Sequence, residues 1–191
     1  MIILNPFEPW PGELCLEAAE RHGVKVITRV VDYGGLFWGD LESGMELARG
    51  DHRAFRPQGW IEAGIERLDR VMPYAEKAEL TPIQLACQWN LAHPAVECVV
   101  PTLIQEAGPA ARPIEDKRAE LAALPTEQRL GAEDIAAIRA IGDNSNCMVL
   151  KGASPEHEGD ERPDRWPLSD ELAEVGDRWG IDPSRDLVAT H

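Results

Sequence analysis

The segment from Thr81 to Thr102 constrains the fold of this chain more than any other. It reads as a capped helix, a break at His93-Pro94, and a short apolar strand from Val96 to Val100 that ends at Pro101. The Thr81 hydroxyl can accept from a free amide of the first turn, and Pro82 sits where a missing N–H does no harm. Leu85, Trp89 and Ala92 recur at spacings of four and three, with Ala86 alongside, so one helix face is apolar. Pro94 cannot continue the helix and turns His93 away from it. The Val96 to Val100 run is β-branched and nearly all apolar, as expected of a strand covered on both faces. A helix followed by such a strand is one step of a parallel sheet, because the helix must return the chain before the next strand can pair.

The preceding residues supply two more strands. Met1 to Leu4 is strand-like, Asn5 to Pro11 is a rigid proline-rich loop, and Glu13 to His22 is a helix closed by Gly23 in the left-handed region. Val24 to Val31 is the second strand, which completes a βαβ unit of about thirty residues. A chain that begins inside a buried parallel strand leaves an unpaired edge, and we expect sequence upstream of Met1. Asp32-Tyr-Gly-Gly35 falls at the carboxyl end of the second strand, where ligands bind in open βα sheets and glycines allow close backbone approach. Residues 40 to 60 form a polar connection long enough to be a lid or binding loop.

Further helices are expected over Ile61 to Ala78, Pro113 to Leu124 and Ala132 to Ile141. In the first, Ile61, Ile65, Leu68 and Met72 mark the apolar face, Glu62, Glu66, Arg67 and Arg70 the solvated one, and Pro73 a kink or break. Residues 151 to 165 are rich in Pro, Gly, Glu and Asp and are expected to be irregular. A short capped helix begins at Ser169, with Leu172, Val175 and Trp179. Trp166 and Trp179 are expected to dock on the main body. The domain reading is a body over residues 1–145 and an acidic C-terminal extension over 146–191.

Charge and composition exclude several classes. A formal net charge of −15 and a pI near 4.7 oppose nucleic-acid or anionic-membrane binding. No apolar run approaches the roughly 20 residues that span a bilayer, and the N-terminus lacks the basic region of a signal peptide. Cys15, Cys87, Cys98 and Cys147 are scattered without a CxxC spacing, as reduced, mostly buried thiols of a cytoplasmic protein would be. His22, His52, His93, His157 and His191 show no ligand spacing, so no metal site is expected.

Several segments together resemble the C-terminal half of the aldo-keto reductases. They are Asn5-Pro-Phe followed by a helix, His22-Gly-Val-Lys-Val-Ile-Thr-Arg-Val, Gly34-Gly-Leu-Phe-Trp-Gly39, Leu80-Thr-Pro-Ile-Gln-Leu-Ala-Cys-Gln-Trp89 and Val96-Glu-Cys-Val-Val-Pro101. The series runs in order from about residue 2 to residue 141. The resemblance implies an α/β fold, a partial (β/α)8 TIM barrel containing strands 6 to 8 with their helices. It also implies NAD(P)H-dependent reduction of an aldehyde or ketone by the full-length form, with NADP (or NAD) as cofactor.

The same resemblance implies which residues would do what. The family's Asp, Tyr, Lys and His belong to earlier strands, so no catalytic residue is expected here and the chain alone is expected to be inactive. Tyr33 lies near the ligand edge without a Lys or His close in sequence, and reads as a loop or packing residue, the alternative being a replacement for the family's acid. The segment after the seventh strand wraps the pyrophosphate in the family, which implies a cofactor role for Arg29, Val30, Val31, Asp32 and Gly35. Here Val31 replaces the proline of similar members and Asp32 adds a negative charge. Pro101 and Thr102 follow the eighth strand, and Arg112, Asp116 and Lys117 stand where the family holds the adenosine and its 2′-phosphate. Independently of any family, Arg112, Lys117 and Arg118 gather basic charge at a helix start, a ready anion site; the competing reading is surface charge balancing Glu106, Glu115 and Asp116. A second functional reading is a self-standing, non-catalytic half barrel that binds a nucleotide or a partner subunit. The partners expected are thus a carbonyl substrate in the full-length form, and either a second copy or a missing N-terminal half.

Overall fold

The computed structural model describes residues 1–47, 51–53, 56–107, 111–142 and 170–180. Strand β1 (Ile2–Ile3) leads through a 3₁₀ turn into helix α1 (Leu16–Arg21), then to β2 (Val26–Arg29). Helices α2 (Trp60–Lys77) and α3 (Pro82–Leu91) precede β3 (Val96–Val100), and α4 (Ile114–Ala122), α5 (Ala132–Ile141) and α6 (Asp170–Trp179) follow it. The three strands form one parallel sheet in the order β1-β2-β3, with Ile3 opposite Arg29 and Arg29 opposite Val100. The protein is therefore a mixed α/β structure with a small parallel sheet and, among the described residues, six α-helices. None of the helices described is long and apolar enough to cross a membrane. The expected boundary at residue 145, the irregular stretch, Ser169 and Trp166 lie outside the described residues, as do the side chains of Leu172 and Trp179. Within α6, Val175 is exposed.

Helix α3 starts as its sequence requires. The Thr81 hydroxyl accepts from the Gln84 amide, and the Gln84 side chain accepts in return from the Thr81 amide at 3.1 Å. Such a cap stabilises by about 1 kcal/mol. The polar residues of this helix then hold its neighbours. Gln84 donates to the carbonyls of Glu120 and Ala123 at the end of α4, and Gln88 donates to Pro125 and Glu127. The buried Trp89 indole donates to the Ile135 carbonyl of α5 at 3.2 Å.

Two expectations are corrected by the packing. Arg67 belongs to the buried face of α2, with Trp60, Ile61, Gly64, Val71 and Ala75, whereas Ile65, Leu68 and Met72 are only half-buried. The reason is Gly64: a Cβ there would lie 3.0 Å from Leu36 and 3.2 Å from Tyr33, so the helix approaches the loop along its glycine. Arg67 then passes over the Phe7 ring, 5.8 Å from its centroid. Pro73 lies within α2 without ending it.

The second correction concerns β3, which the described residues cover on one face only. Val96 is buried, but Cys98 is exposed and Val100 is 43% exposed. A register shift between Val26 and Ile27 puts Val96 and Cys98 on opposite faces; among the described residues, Val26, Thr28 and Val96 are buried, and Ile27, Arg29, Cys98 and Val100 lie exposed on the other side.

Helix α3 ends at a titratable contact. The His93 ring lies edge-on to Trp89, at 4.7 Å between centroids, and its Nδ1 meets the Asn90 carbonyl at 3.1 Å. Burial pushes the imidazole below its ordinary value of 6.5, partly offset by the backbone contacts. The unfolded chain therefore binds this proton more readily than the folded one. Stability is complete above about pH 6.5 and is lost as the pH falls from there to the lowered folded value. The melting temperature should be flat between pH 8 and 7 and drop below pH 6.5, and His93→Gln should flatten that drop. An unchanged slope in the variant would contradict this account of His93.

Candidate functional site

The carboxyl ends of the three strands converge on one edge, and two side chains join them. After β1, Asn5 accepts the amides of Phe7 and Glu8 and donates to the Val30 carbonyl at 3.0 Å. After β2, Asp32 accepts the Gly35 amide at 2.8 Å and the Thr102 amide, beyond β3, at 2.6 Å. Both side chains are essentially fully buried, and the bonds to the Asp32 carboxylate are charge-assisted and so stronger than those of the neutral Asn5 amide. The loop between them is strained. Val30 has φ 60° and Tyr33 has φ 49°, conformations that cost a β-branched or bulky residue about 1–3 kcal/mol.

A 3₁₀ turn, Leu36–Trp38, extends this edge. The fully buried Trp38 donates from its indole to the Thr102 carbonyl at 2.9 Å, and its own carbonyl accepts from Arg112 at 3.1 Å. Asp40 follows, buried, and forms an ion pair with Lys117, itself only 1% exposed. Asp40 also accepts the Arg112 amide at 3.1 Å, and Lys117 donates to the Ile104 carbonyl at 3.2 Å. The Lys117 ammonium lies 5.7 Å from the centroid of the Trp38 ring. Gly35 must be glycine here: its φ is 94°, and an added Cβ would stand 3.3 Å from Arg53 and 3.4 Å from Asp40.

The expected cofactor residues thus have distinct placements. Asp32, Gly35, Thr102, Arg112 and Lys117 are joined by hydrogen bonds and an ion pair through Asp32 and Asp40, with Thr102 and Arg112 only half-buried; Val31 and Pro101 are buried beside Asp32 and Thr102 in sequence, and Val30 lies at the margin. Arg29 is exposed on the open side of the sheet, and Asp116 is exposed in the first turn of α4. Tyr33 is fully buried, edge-on to Phe7 and Trp60, with the Arg56 guanidinium 4.6 Å from its ring centroid. This is a packing role.

The cluster also contains residues that were not expected. Asp40 and Trp38 organise it, and Arg53 closes it from the long connection. Arg53 pairs with Asp51 at 2.8 Å and lies 3.6 Å from Glu106, which in turn meets His52 at 3.0 Å. The Arg53 hydrogen bond holds the Asp51 carboxyl well below its usual range, at about 2. The described parts of the long connection border a cleft of about 620 Å³ lined by Met45, Leu47, Arg53, Arg56 and Trp60. The sequence signal for Asp40 was an acid directly after the Gly34 to Gly39 turn, within reach of a basic helix start.

Charge decides how such an edge can treat an anion. Lys117 is neutralised by Asp40, Arg112 by Glu120 at 2.7 Å, Arg53 by Asp51, and Arg56 by Glu8 at 3.2 Å. A dinucleotide would find glycine backbone and nearby cations, but each cation already carries a carboxylate. None of these four cations is therefore free of a carboxylate partner. Among the described residues, no cluster of side chains could hold a metal ion. No protein-family model, no curated protein and no solved structure matches the chain.

Proposed function

We propose that the chain is the carboxyl-terminal part of an aldo-keto-reductase-like barrel, contributing its sixth to eighth strands and the loops on the nucleotide side. The complete barrel would be a cytoplasmic enzyme that reduces an aldehyde or ketone with NADPH or NADH. The observation that carries this reading is the joined carboxyl edge, in which Asn5 and Asp32 lock three parallel-strand loops around a strained Val30. Strain of that kind persists where a site needs a fixed loop, and the carboxyl edge is where βα barrels bind ligands. The residues of this chain would orient the nucleotide: Gly35 by backbone approach and half-buried Arg112 through its charge, with Lys117, buried on Asp40, bracing the edge beneath them. Hydride chemistry would come from the nicotinamide, and protonation of the carbonyl from residues outside this chain.

One observation favours the second reading, a non-catalytic half barrel. The cations of the edge are internally paired, which is what a purely structural edge requires. Titration with NADPH separates the cofactor reading from a half barrel that serves only as a subunit contact. The cofactor reading predicts weak binding, with a dissociation constant of about a millimolar, and no carbonyl reduction by the isolated chain. Measurable turnover by pure protein would show that the acid missing from this chain has been replaced.

A further inference from the structure

The cleft beside the long connection contains a cation whose hydrogen-bonding capacity the protein leaves partly unfilled. Arg56 lines this cleft of about 620 Å³, and its side chain is only 4% exposed. The guanidinium packs against two rings, 4.6 Å from the centroid of Tyr33 and 4.8 Å from that of Trp60. Glu8 accepts from its Nη1 at 3.2 Å, and among the described residues that is the one hydrogen bond the guanidinium makes. A guanidinium carries five N–H donors in a planar fork, and a buried donor left without an acceptor costs about 1–3 kcal/mol. The lining also includes Met45, Leu47, Trp60 and Ile61, which give it an apolar wall. A volume of this order with a few polar groups on apolar walls is that of a small-molecule site.

We propose that this cleft binds a small uncharged compound with an apolar, ring-sized body and one acceptor oxygen, an amide being the simplest case. The oxygen takes donors that Glu8 leaves on Arg56, and the body lies against the apolar wall. Charge selects against an ion. Arg56 is already neutralised by Glu8, and Arg53, the other cation of the lining, by Asp51, with Glu106 3.6 Å away. Glu46 and Glu62 line the cleft as well, both exposed. An anion would therefore meet carboxylates in excess. A cation would gain little from acids that stand in water, and would leave the Arg56 donors unmet. A neutral oxygen satisfies those donors and adds no charge. The inference does not rest on the nucleotide reading, which concerns the strand edge at Gly35 and Arg112.

The test titrates the full chain, without nucleotide, with benzamide, toluene and benzoate, and follows binding by nuclear magnetic resonance, with folding of every variant checked by circular dichroism. Benzamide should saturate the site and bind about 5-fold or more tighter than toluene, which has the ring without the oxygen, and tighter than benzoate. Arg56→Lys keeps a charge for Glu8 and loses the planar fork, so it should bring benzamide down to the level of toluene while leaving toluene unchanged. Where that variant does not fold, Arg56→Leu/Glu8→Gln takes its place, since it removes both buried charges and keeps an acceptor for Asn5. Trp60→Leu should weaken benzamide and toluene alike. No saturable benzamide binding by the folded chain overturns the proposal. So does benzamide binding no tighter than toluene, because water then serves Arg56, and so does binding indifferent to the Arg56 change. Tighter binding of benzoate overturns the uncharged class. Each of these results leaves the NADPH titration unaffected, so failure here is distinct from failure of the cofactor assignment.

Discussion

Replacing Lys117 by Met should lower the unfolding free energy by about 3–5 kcal/mol, the usual cost of removing one partner of a buried ion pair. Asp40 would stay buried at 1% exposure, with the Arg112 amide and the less direct charge of Arg53 left to stabilise it. That loss is a large fraction of the 5–15 kcal/mol by which domains are typically stable. The pair itself contributes little net stability, because both charges were taken out of water to form it. The double variant Asp40→Leu/Lys117→Met should therefore recover most of what the single change costs. Urea unfolding of the two variants and the parent checks this. A single variant within about 1 kcal/mol of the parent would mean that Asp40 finds water or another cation.

Trp38→Ala should be comparably damaging, at about 3–5 kcal/mol, since the ring is 2% exposed and its removal leaves a cavity. It would also leave the Thr102 carbonyl without its indole donor, loosening the loop after β3 from the turn after β2. Trp38→Phe keeps most of the volume and loses the hydrogen bond, so its cost should be nearer 1–2 kcal/mol. Because the Lys117 ammonium packs over this ring, Trp38 and Lys117 variants should not add. A double variant costing the sum of the two would mean that they act on separate structures.

The local grammar of the chain was readable from its residues. Thr81 and Gln84 announce the start of α3, Gly23 takes the positive φ expected of it, and the three strands fall where the apolar runs lie. These features are decided within a few residues of chain, by caps, proline and side-chain period. Pairings across the fold were not readable. Asp40 lies 77 residues from Lys117, and Asp32 lies 70 from Thr102. Nothing in the neighbourhood of either acid tells which cation or amide will meet it.

The same limit explains the two corrections. Arg67 looked solvated because its charge was weighed and the approach allowed by Gly64, three positions earlier, was not. The apolar β3 looked doubly covered because period and composition report what a strand could bury, whereas cover depends on what else packs there. As for the site, five of the ten candidate residues, Asp32, Gly35, Thr102, Arg112 and Lys117, are joined by hydrogen bonds or an ion pair through Asp32 and Asp40. The side chains that neutralise its cations could be found only in three dimensions.

The most direct test of the account is titration of the isolated chain with NADPH, followed by cofactor fluorescence up to several millimolar. The account predicts saturable binding near a millimolar, weakened several-fold by Gly35→Val, whose side chain would press on Arg53 and Asp40. No binding at that concentration by a correctly folded chain would contradict it, and would leave the joined edge as scaffold alone.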